Sequence, residues 1–210
     1  MPKRFRSKRR GRGRRKMYKR RQQYSGKLRQ PVQFFTRSYY IPAHITIPTG
    51  GPSVGYADFF TLNSLPDFTD FTALYDQYQI KAVKYTLLPR ISNAGPSGAV
   101  GNPSILGNIW SVLDYDDSNT PTSLNQLLQY QNLKRTQYHK IHSRFIKPTV
   151  QLGVGSPLTS SAIKKRQWLD AASTAIPHLG IKLWVDGSLG SYPLTFDLQV
   201  KMYLAFKNVR

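Results

Sequence analysis

The most regular hydrophobic pattern in the chain lies near its C-terminus. Between residues 194 and 206, every second position is apolar: Leu194, Phe196, Leu198, Val200, Met202, Leu204 and Phe206. The positions between them begin with the polar residues Thr195, Asp197, Gln199 and Lys201. Successive side chains on a strand point to opposite sides, so this pattern predicts a long β-strand. One side is buried, and the other meets solvent or a second chain.

Shorter runs of the same kind predict further strands from residue 33 onward. We expect strands at 33–41, 55–62, 79–89, 105–116, 136–147 and 180–187, and a short one at Trp168 and Leu169. In the 180–187 segment, the alternation places Ile181, Leu183 and Val185 inward and Lys182, Trp184 and Asp186 outward. Clusters of Pro, Gly and Ser predict loops at 95–103 and 148–165.

Two short helices are predicted between these strands. The first covers 68–78, where apolar residues fall at helical spacing: Phe68, Phe71, Leu74, Tyr75 and Tyr78. The second starts at Thr120, before Pro121, and would bury Leu124, Leu127 and Leu128. Roughly eight strands with two short helices in loops predict an all-β fold, a single jelly-roll β-sandwich over residues 31–210.

The first 30 residues have a different composition. They contain 15 of the 31 Lys and Arg residues and none of the ten acidic residues, which leaves 16 basic and ten acidic residues for the rest of the chain. A segment with so much charge and so few apolar side chains buries too little surface to offset the entropy of ordering. We therefore expect residues 1–30, called the arm below, to be disordered when free and to end before Pro31.

The arm has the charge density that matches a polyphosphate backbone, so we expect it to bind nucleic acid without sequence preference. Phe5, Tyr18 and Tyr24 are interleaved with the cations and either stack on unpaired bases or have no part in binding. The predicted nucleic-acid-binding residues are Lys3, Arg4, Arg6, Lys8, Arg9, Arg10, Arg12, Arg14, Arg15, Lys16, Lys19, Arg20 and Arg21.

Two clusters in the arm also have the composition of a nuclear import signal. The predicted signal residues are Lys3, Arg4, Lys8, Arg9, Arg10, Arg14, Arg15, Lys16, Lys19, Arg20 and Arg21. Outside the arm, Lys164, Lys165 and Arg166 either extend the nucleic-acid surface or form a solvated loop.

Other chemistry finds little support. The chain has no Cys, all its acidic residues are Asp, and it carries no nucleotide-binding motif, so we expect neither an enzyme nor a cofactor. His139 and His142 would point to opposite sides of one strand, and Asp114, Asp116 and Asp117 fit a strand end and turn, so no metal site is predicted. No stretch approaches the roughly 18 apolar residues of a membrane span, so no membrane insertion is expected.

Four segments, taken in order, carry a family resemblance. They are DQYQIKAVKYTLLP at 76–89, HSRFIKP at 142–148, WL at 168–169 with HLGI at 178–181, and VKMYLAF at 200–206. Together they resemble the capsid proteins of circoviruses and cycloviruses. The resemblance implies a virion protein with a jelly-roll subunit, 60 copies in a T=1 icosahedral shell, a packaged circular single-stranded DNA, and passage through the host nucleus by import receptors. It assigns no host cell-surface receptor.

The composition alone also fits a cellular nucleic-acid-binding protein of ribosomal or chromatin type, with a β body and a basic tail. Such a protein would stay monomeric, and its body would retain nucleic-acid affinity without the arm. A capsid subunit would instead form uniform closed particles.

Overall fold

The computed structural model describes residues 31–90, 107–154, 160–188 and 193–209. In these ranges the chain forms eleven β-strands. They are β1 (Gln33–Ile47), β2 (Val54–Phe60), β3 (Tyr75–Pro89), β4 (Asn108–Val112), β5 (Lys134–Gln137), β6 (His142–Ile146), β7 (Thr149–Val154), β8 (Ser160–Lys165), β9 (Leu169–Asp170), β10 (His178–Val185) and β11 (Leu194–Val209). The two predicted helices are α1 (Phe68–Leu74) and α2 (Leu124–Leu128), and a 3₁₀ turn spans Leu62–Ser64.

The strands form two antiparallel sheets. The first sheet has the order β1-β11-β3-β6, with β9 paired to the start of β3. The second has the order β5-β4-β10-β7-β8, with β2 along the other edge of β10. The first strand therefore pairs with the last, and the chain passes repeatedly between the sheets. This two-sheet architecture confirms the predicted all-β jelly roll.

The inner sides of both sheets form the hydrophobic core. All seven alternating apolar residues of β11 are buried, as predicted. At one end of the core, the ring of Phe206 stacks on Phe71 at a centroid distance of 4.8 Å and also contacts Tyr75 and Phe35, at 5.2 Å and 5.8 Å. Phe71 belongs to α1, so this cluster fastens the helix to the first sheet.

Both helices differ from their predicted extents. Helix α1 ends at Leu74, and Tyr75 and Tyr78 belong to β3, because the chain becomes extended at Tyr75. Helix α2 begins at Leu124 rather than at Thr120, since the amide group of Gln126 bonds to Thr122 and closes a turn before the helix. Leu127 is buried, but Leu128 is exposed, contrary to the predicted stripe.

The predicted strand at 136–147 is two strands in different sheets. Strand β5 pairs with β4 in the second sheet, whereas β6 pairs with β3 in the first. Between them the chain turns at Tyr138, whose ring is buried and whose hydroxyl donates to the carbonyl oxygen of Asp186. The run of strand-forming residues at 136–147 is continuous in the sequence, so it gives no sign that the chain crosses from one sheet to the other.

The prediction of a long loop at 148–165 is wrong for most of its length. Strands β7 and β8 pair from Thr149↔Lys165 to Val154↔Ser160 and form an antiparallel hairpin. The Pro, Gly and Ser residues that indicated a loop concentrate at residues 153–160, of which 155–159 lie outside the described residues. The other predicted strands are present with shifted ends, and the predicted loop at 95–103 lies outside the described residues.

One residue of β10 that the alternation placed on the solvent side is buried. Ile181, Leu183 and Val185 are in the core as predicted, but Lys182, assigned to solvent, is covered. Its ammonium nitrogen lies 2.8 Å from Asp114 and 2.7 Å from Asp117, in the segment that follows β4. In the described ranges, no helix is long and apolar enough to cross a membrane.

Candidate nucleic-acid interface

The outer side of the first sheet carries a concentration of lysines and aromatic rings. The core-facing residues of β11 alternate with residues that point away from the core, and β1, β3 and β6 contribute residues to the same outer side. We call this side, with Trp168, the lysine face. Its members are Phe34, Tyr40, Lys81, Lys84, Thr86, Ser143, Phe145, Trp168, Gln199, Lys201, Tyr203 and Lys207.

At the centre of the lysine face, two lysines stand directly opposite each other. Lys84 on β3 is the register partner of Lys201 on β11, and both side chains are exposed. They border a cavity of about 270 Å³ whose other lining residues are Thr86, Leu88, Ile141, Ser143 and Gln199. Two ammonium groups beside hydroxyl and amide groups form a surface suited to a phosphate and its sugar.

Aromatic rings flank this cavity. Phe145 on β6 is the register partner of Lys84 and is 55% exposed. Its ring centroid lies 5.9 Å from that of Tyr203, and the Lys201 ammonium lies 5.8 Å from the Tyr203 ring. A large apolar ring is therefore held open to solvent beside two cations.

A second group of the same kind lies where β1 begins. Phe34 is 69% exposed, and the Lys81 ammonium lies 6.0 Å from its ring and 5.7 Å from the ring of Trp168. The Lys207 ammonium lies 4.5 Å from the same Trp168 ring. Since β1 starts at Gln33, the arm joins the body at this end of the lysine face.

The positive charge of the lysine face is not neutralised by neighbouring carboxylates. In the described part of the chain, none of its four lysines forms an ion pair. Asp197 lies on the same side of β11, but Arg90 binds it at 2.6 Å and the Ala43 amide donates to it at 2.7 Å. The hydrogen bond from Tyr40 is the largest of the effects that lower the pKa of Asp197. Asp170 stands at the edge of the face, across β3 from Lys207.

Two of the acidic residues noted in the sequence, Asp114 and Asp117, form ion pairs with Lys182. Asp114 accepts from Lys182 and, at 2.7 Å, from the Tyr130 hydroxyl. Burial raises the pKa of Asp114, but these hydrogen bonds outweigh burial and lower it. Burial likewise lowers the pKa of Lys182, and its bonds to Asp114 and Asp117 outweigh that effect and raise it. Asp116 donates its amide to Asp114, in the turn that the sequence predicted.

His139 and His142 do not share a strand, because the crossing turn separates them. His142 starts β6 and is fully buried, with its two ring nitrogens 2.9 Å from the Thr136 hydroxyl and 2.8 Å from the Ser111 hydroxyl. Burial, with help from nearby cations, lowers its pKa to about 4. The ring is therefore neutral at pH 7 and links the two sheets by hydrogen bonds.

The residues predicted to bind nucleic acid or import receptors, Lys3 to Arg21, lie outside the described residues. Lys165 is exposed, but its strand β8 belongs to the second sheet, and its ammonium lies 5.6 Å from the Tyr115 ring. It does not join the lysine face. No sequence motif marks the four lysines of that face as candidates, although the alternation in β11 places Lys201 on the outer side.

The model of the circovirus capsid protein family matches residues 4–210, nearly the whole chain. The chain belongs to the circovirus capsid protein family. As a capsid protein it is a component of the virion and a structural protein rather than an enzyme. This sets aside the alternative of a ribosomal or chromatin protein.

Solved capsid structures share the fold of this circovirus capsid protein. The 60-mer of the BFDV capsid protein matches with a TM-score of 0.59 at 15% identity, over 85% of this chain and 95% of that one. The decamer of the same protein has a TM-score of 0.53 at 16% identity, over 85% and 100%. The Cucumber Necrosis Virus structure has a TM-score of 0.52 at 15% identity, over 85% and 57%. Among curated protein sequences, no match is found.

Proposed function

We propose that this capsid protein assembles into a closed T=1 icosahedral shell of 60 copies and packages circular single-stranded DNA through its arm. Membership of the family and the fold shared with a 60-mer shell support the assembly. The observation that carries DNA packaging is the separation of charge along the chain. The arm holds 15 cations and no acidic residue, whereas the 180 residues that follow carry 16 basic and ten acidic residues.

The charge of the arms couples assembly to packaging. In a 60-copy shell, arms of this composition would bring about 900 positive charges into one particle, which repel one another until phosphate is present. The lysine face is the side of the first sheet at one end of which β1 begins, directly after the arm in the chain. We infer that this side faces the packaged genome.

Assembly is tested with the purified full chain. We expect uniform closed particles by electron microscopy and light scattering at micromolar concentration when single-stranded DNA is added at moderate salt, and nuclease-resistant DNA inside them. Without DNA at low salt, the arms repel one another unscreened, and the yield of particles should fall. A monomer under every one of these conditions would contradict the proposal.

We further propose that the arm directs nuclear import. Residues 1–30 fused to a tandem fluorescent protein too large to diffuse through nuclear pores should accumulate in the nucleus. Replacing Lys8, Arg9, Arg10, Arg14, Arg15 and Lys16 by Ala should abolish this accumulation, because import receptors bind clustered cations. A matched fusion with the four arginines changed to Lys should still accumulate. If the unmodified fusion stays cytoplasmic, the import signal is elsewhere.

A further inference from the structure

We propose that the lysine face is a second nucleic-acid-binding surface, separate from the arm and selective for single strands. Bases would stack on Phe34 and Phe145, and phosphates would pair with Lys81, Lys84, Lys201 and Lys207. The inference rests on the proposed function only in taking single-stranded nucleic acid as the cargo, and it concerns the folded body rather than the arm.

The arrangement of charge on the lysine face favours a bound polyanion. Like charges directly opposite each other in a sheet are destabilising, and Lys84 and Lys201 occupy such a register pair without a carboxylate between them. Two other cations in or beside the first sheet, Arg37 and Arg90, are paired with Asp67 and Asp197, but neither carboxylate pairs with Lys84 or Lys201. A bound polyanion would relieve the mutual repulsion of these unpaired cations.

The exposed rings of the lysine face favour a single-stranded nucleic acid. Phe34 and Phe145 expose most of their surface on the outer side of an antiparallel sheet, each beside lysines. Exposed aromatic rings on a sheet are the means by which single-stranded bases are bound, because an unpaired base can stack on them. A protein partner fits less well, since lysine is depleted at protein interfaces. A duplex fits less well because its bases are already stacked.

The spacing of the two rings suits an extended strand. Phe34 is the register partner of Ala205, and Phe145 lies across β3 from Lys201, four residues away on β11. Three strand spacings and four residues of rise place the rings roughly 20 Å apart, a distance that a few nucleotides cover. The cavity beside Lys84 and Lys201 lies next to Phe145, on the side away from Phe34, and offers hydroxyl groups to the sugar and phosphate.

The first test compares phenylalanine variants of the full chain. Phe34→Ala and Phe145→Ala should each weaken binding of an oligo(dA) single strand by about fivefold or more, because each removes a ring on which one base stacks. Binding to an abasic strand of equal length, or to a duplex, should be unchanged. The matched control is Phe59→Ala, because Phe59 is 53% exposed but lies on the second sheet. Phe34→Leu and Phe145→Leu keep an apolar side chain, so a loss that persists in them isolates the aromatic ring.

The second test removes charge from the face. Lys84→Gln with Lys201→Gln should make the slope of log affinity against log salt shallower by about 1.4 for a single strand, while the phenylalanine variants leave the slope unchanged. Arg135→Gln with Lys165→Gln removes two exposed cations from the second sheet and should have no such effect. Near-ultraviolet circular dichroism establishes that each variant is folded.

The outcomes separate this inference from the proposed function. If Phe34→Ala and Phe145→Ala bind single strands as well as the unmodified chain, the second surface does not exist, whatever arm variants do. If they change particle formation but not affinity, the face is a contact between subunits and the inference is overturned. If variants of the arm leave the DNA content of particles unaltered while the face variants lower affinity, the arm proposal fails and this inference stands.

Discussion

Replacing Lys182 by Met is expected to lower the free energy of unfolding by about 3 kcal/mol, because it leaves a buried carboxylate without its cation. The side chains of Lys182 and Asp114 are 11% and 4% exposed, so water screens their interaction little. Asp117 is 42% exposed and can be solvated when Lys182 is removed. Most of the cost therefore arises at Asp114. Urea denaturation followed by near-ultraviolet circular dichroism measures the change.

Two further variants establish the cause. Adding Asp114→Asn to Lys182→Met removes the uncompensated charge and should recover part of the lost stability. Arg37→Met breaks the Arg37–Asp67 pair, whose side chains are 42% and 33% exposed, and should cost about 0–1 kcal/mol beyond lost packing. Equal losses for Lys182→Met and Arg37→Met would mean that burial of the ion pair has no special energetic consequence.

The burial of Lys182 is also a feature of the fold that the sequence pattern did not predict. Alternation along β10 correctly identified which side of the strand faces the core. It could not show that the segment holding Asp114 and Asp117 folds over the other side, because that contact joins residues 65 or more positions apart. The long final strand was predictable because it lies in the middle of a sheet, with a dry inner side along its length.

Errors at 136–147 and 148–165 have related causes. Strand-forming residues continue through the turn at Tyr138, so local propensity gives no sign that the chain changes sheets there. For β7 and β8, the glycine and serine residues at 153–161 were weighted over Thr149, Val150 and Leu152 in the same segment. Both mistakes arise because tertiary pairing decides the outcome where local signals are weak or mixed.

The lysine face illustrates the same limit for a functional site. Lys84 and Lys201 are 117 positions apart, and only the register of β3 with β11 brings them together. The exposed ring of Phe145 arrives from a third strand, β6. A cluster that is contiguous in the chain, such as the cations of the arm, can be recognised from composition alone. A surface assembled from four strands requires the order and register of those strands.

For the arm, the largest expected effect is on binding of single-stranded DNA. If the arm neutralises about 10 to 15 phosphates, log affinity against log salt should have a slope near −7 to −10. Replacing Arg9, Arg10, Arg14 and Arg15 by Ala should make the slope shallower by up to about 3. At 0.1 M salt, this corresponds to a loss of affinity of about two to three orders of magnitude, equal for all base sequences.

The same four positions supply the control, because changing them to Lys keeps the charge and should preserve the slope. The slope also separates the arm from the body. The four lysines of the lysine face can contribute only about −3 by themselves, since each neutralised phosphate on a single strand adds about −0.7. A measured slope no steeper than this for the full chain, or a preference of more than about tenfold between unrelated strands of equal length, would mean that the folded body performs the binding and that the arm's 15 cations are not engaged.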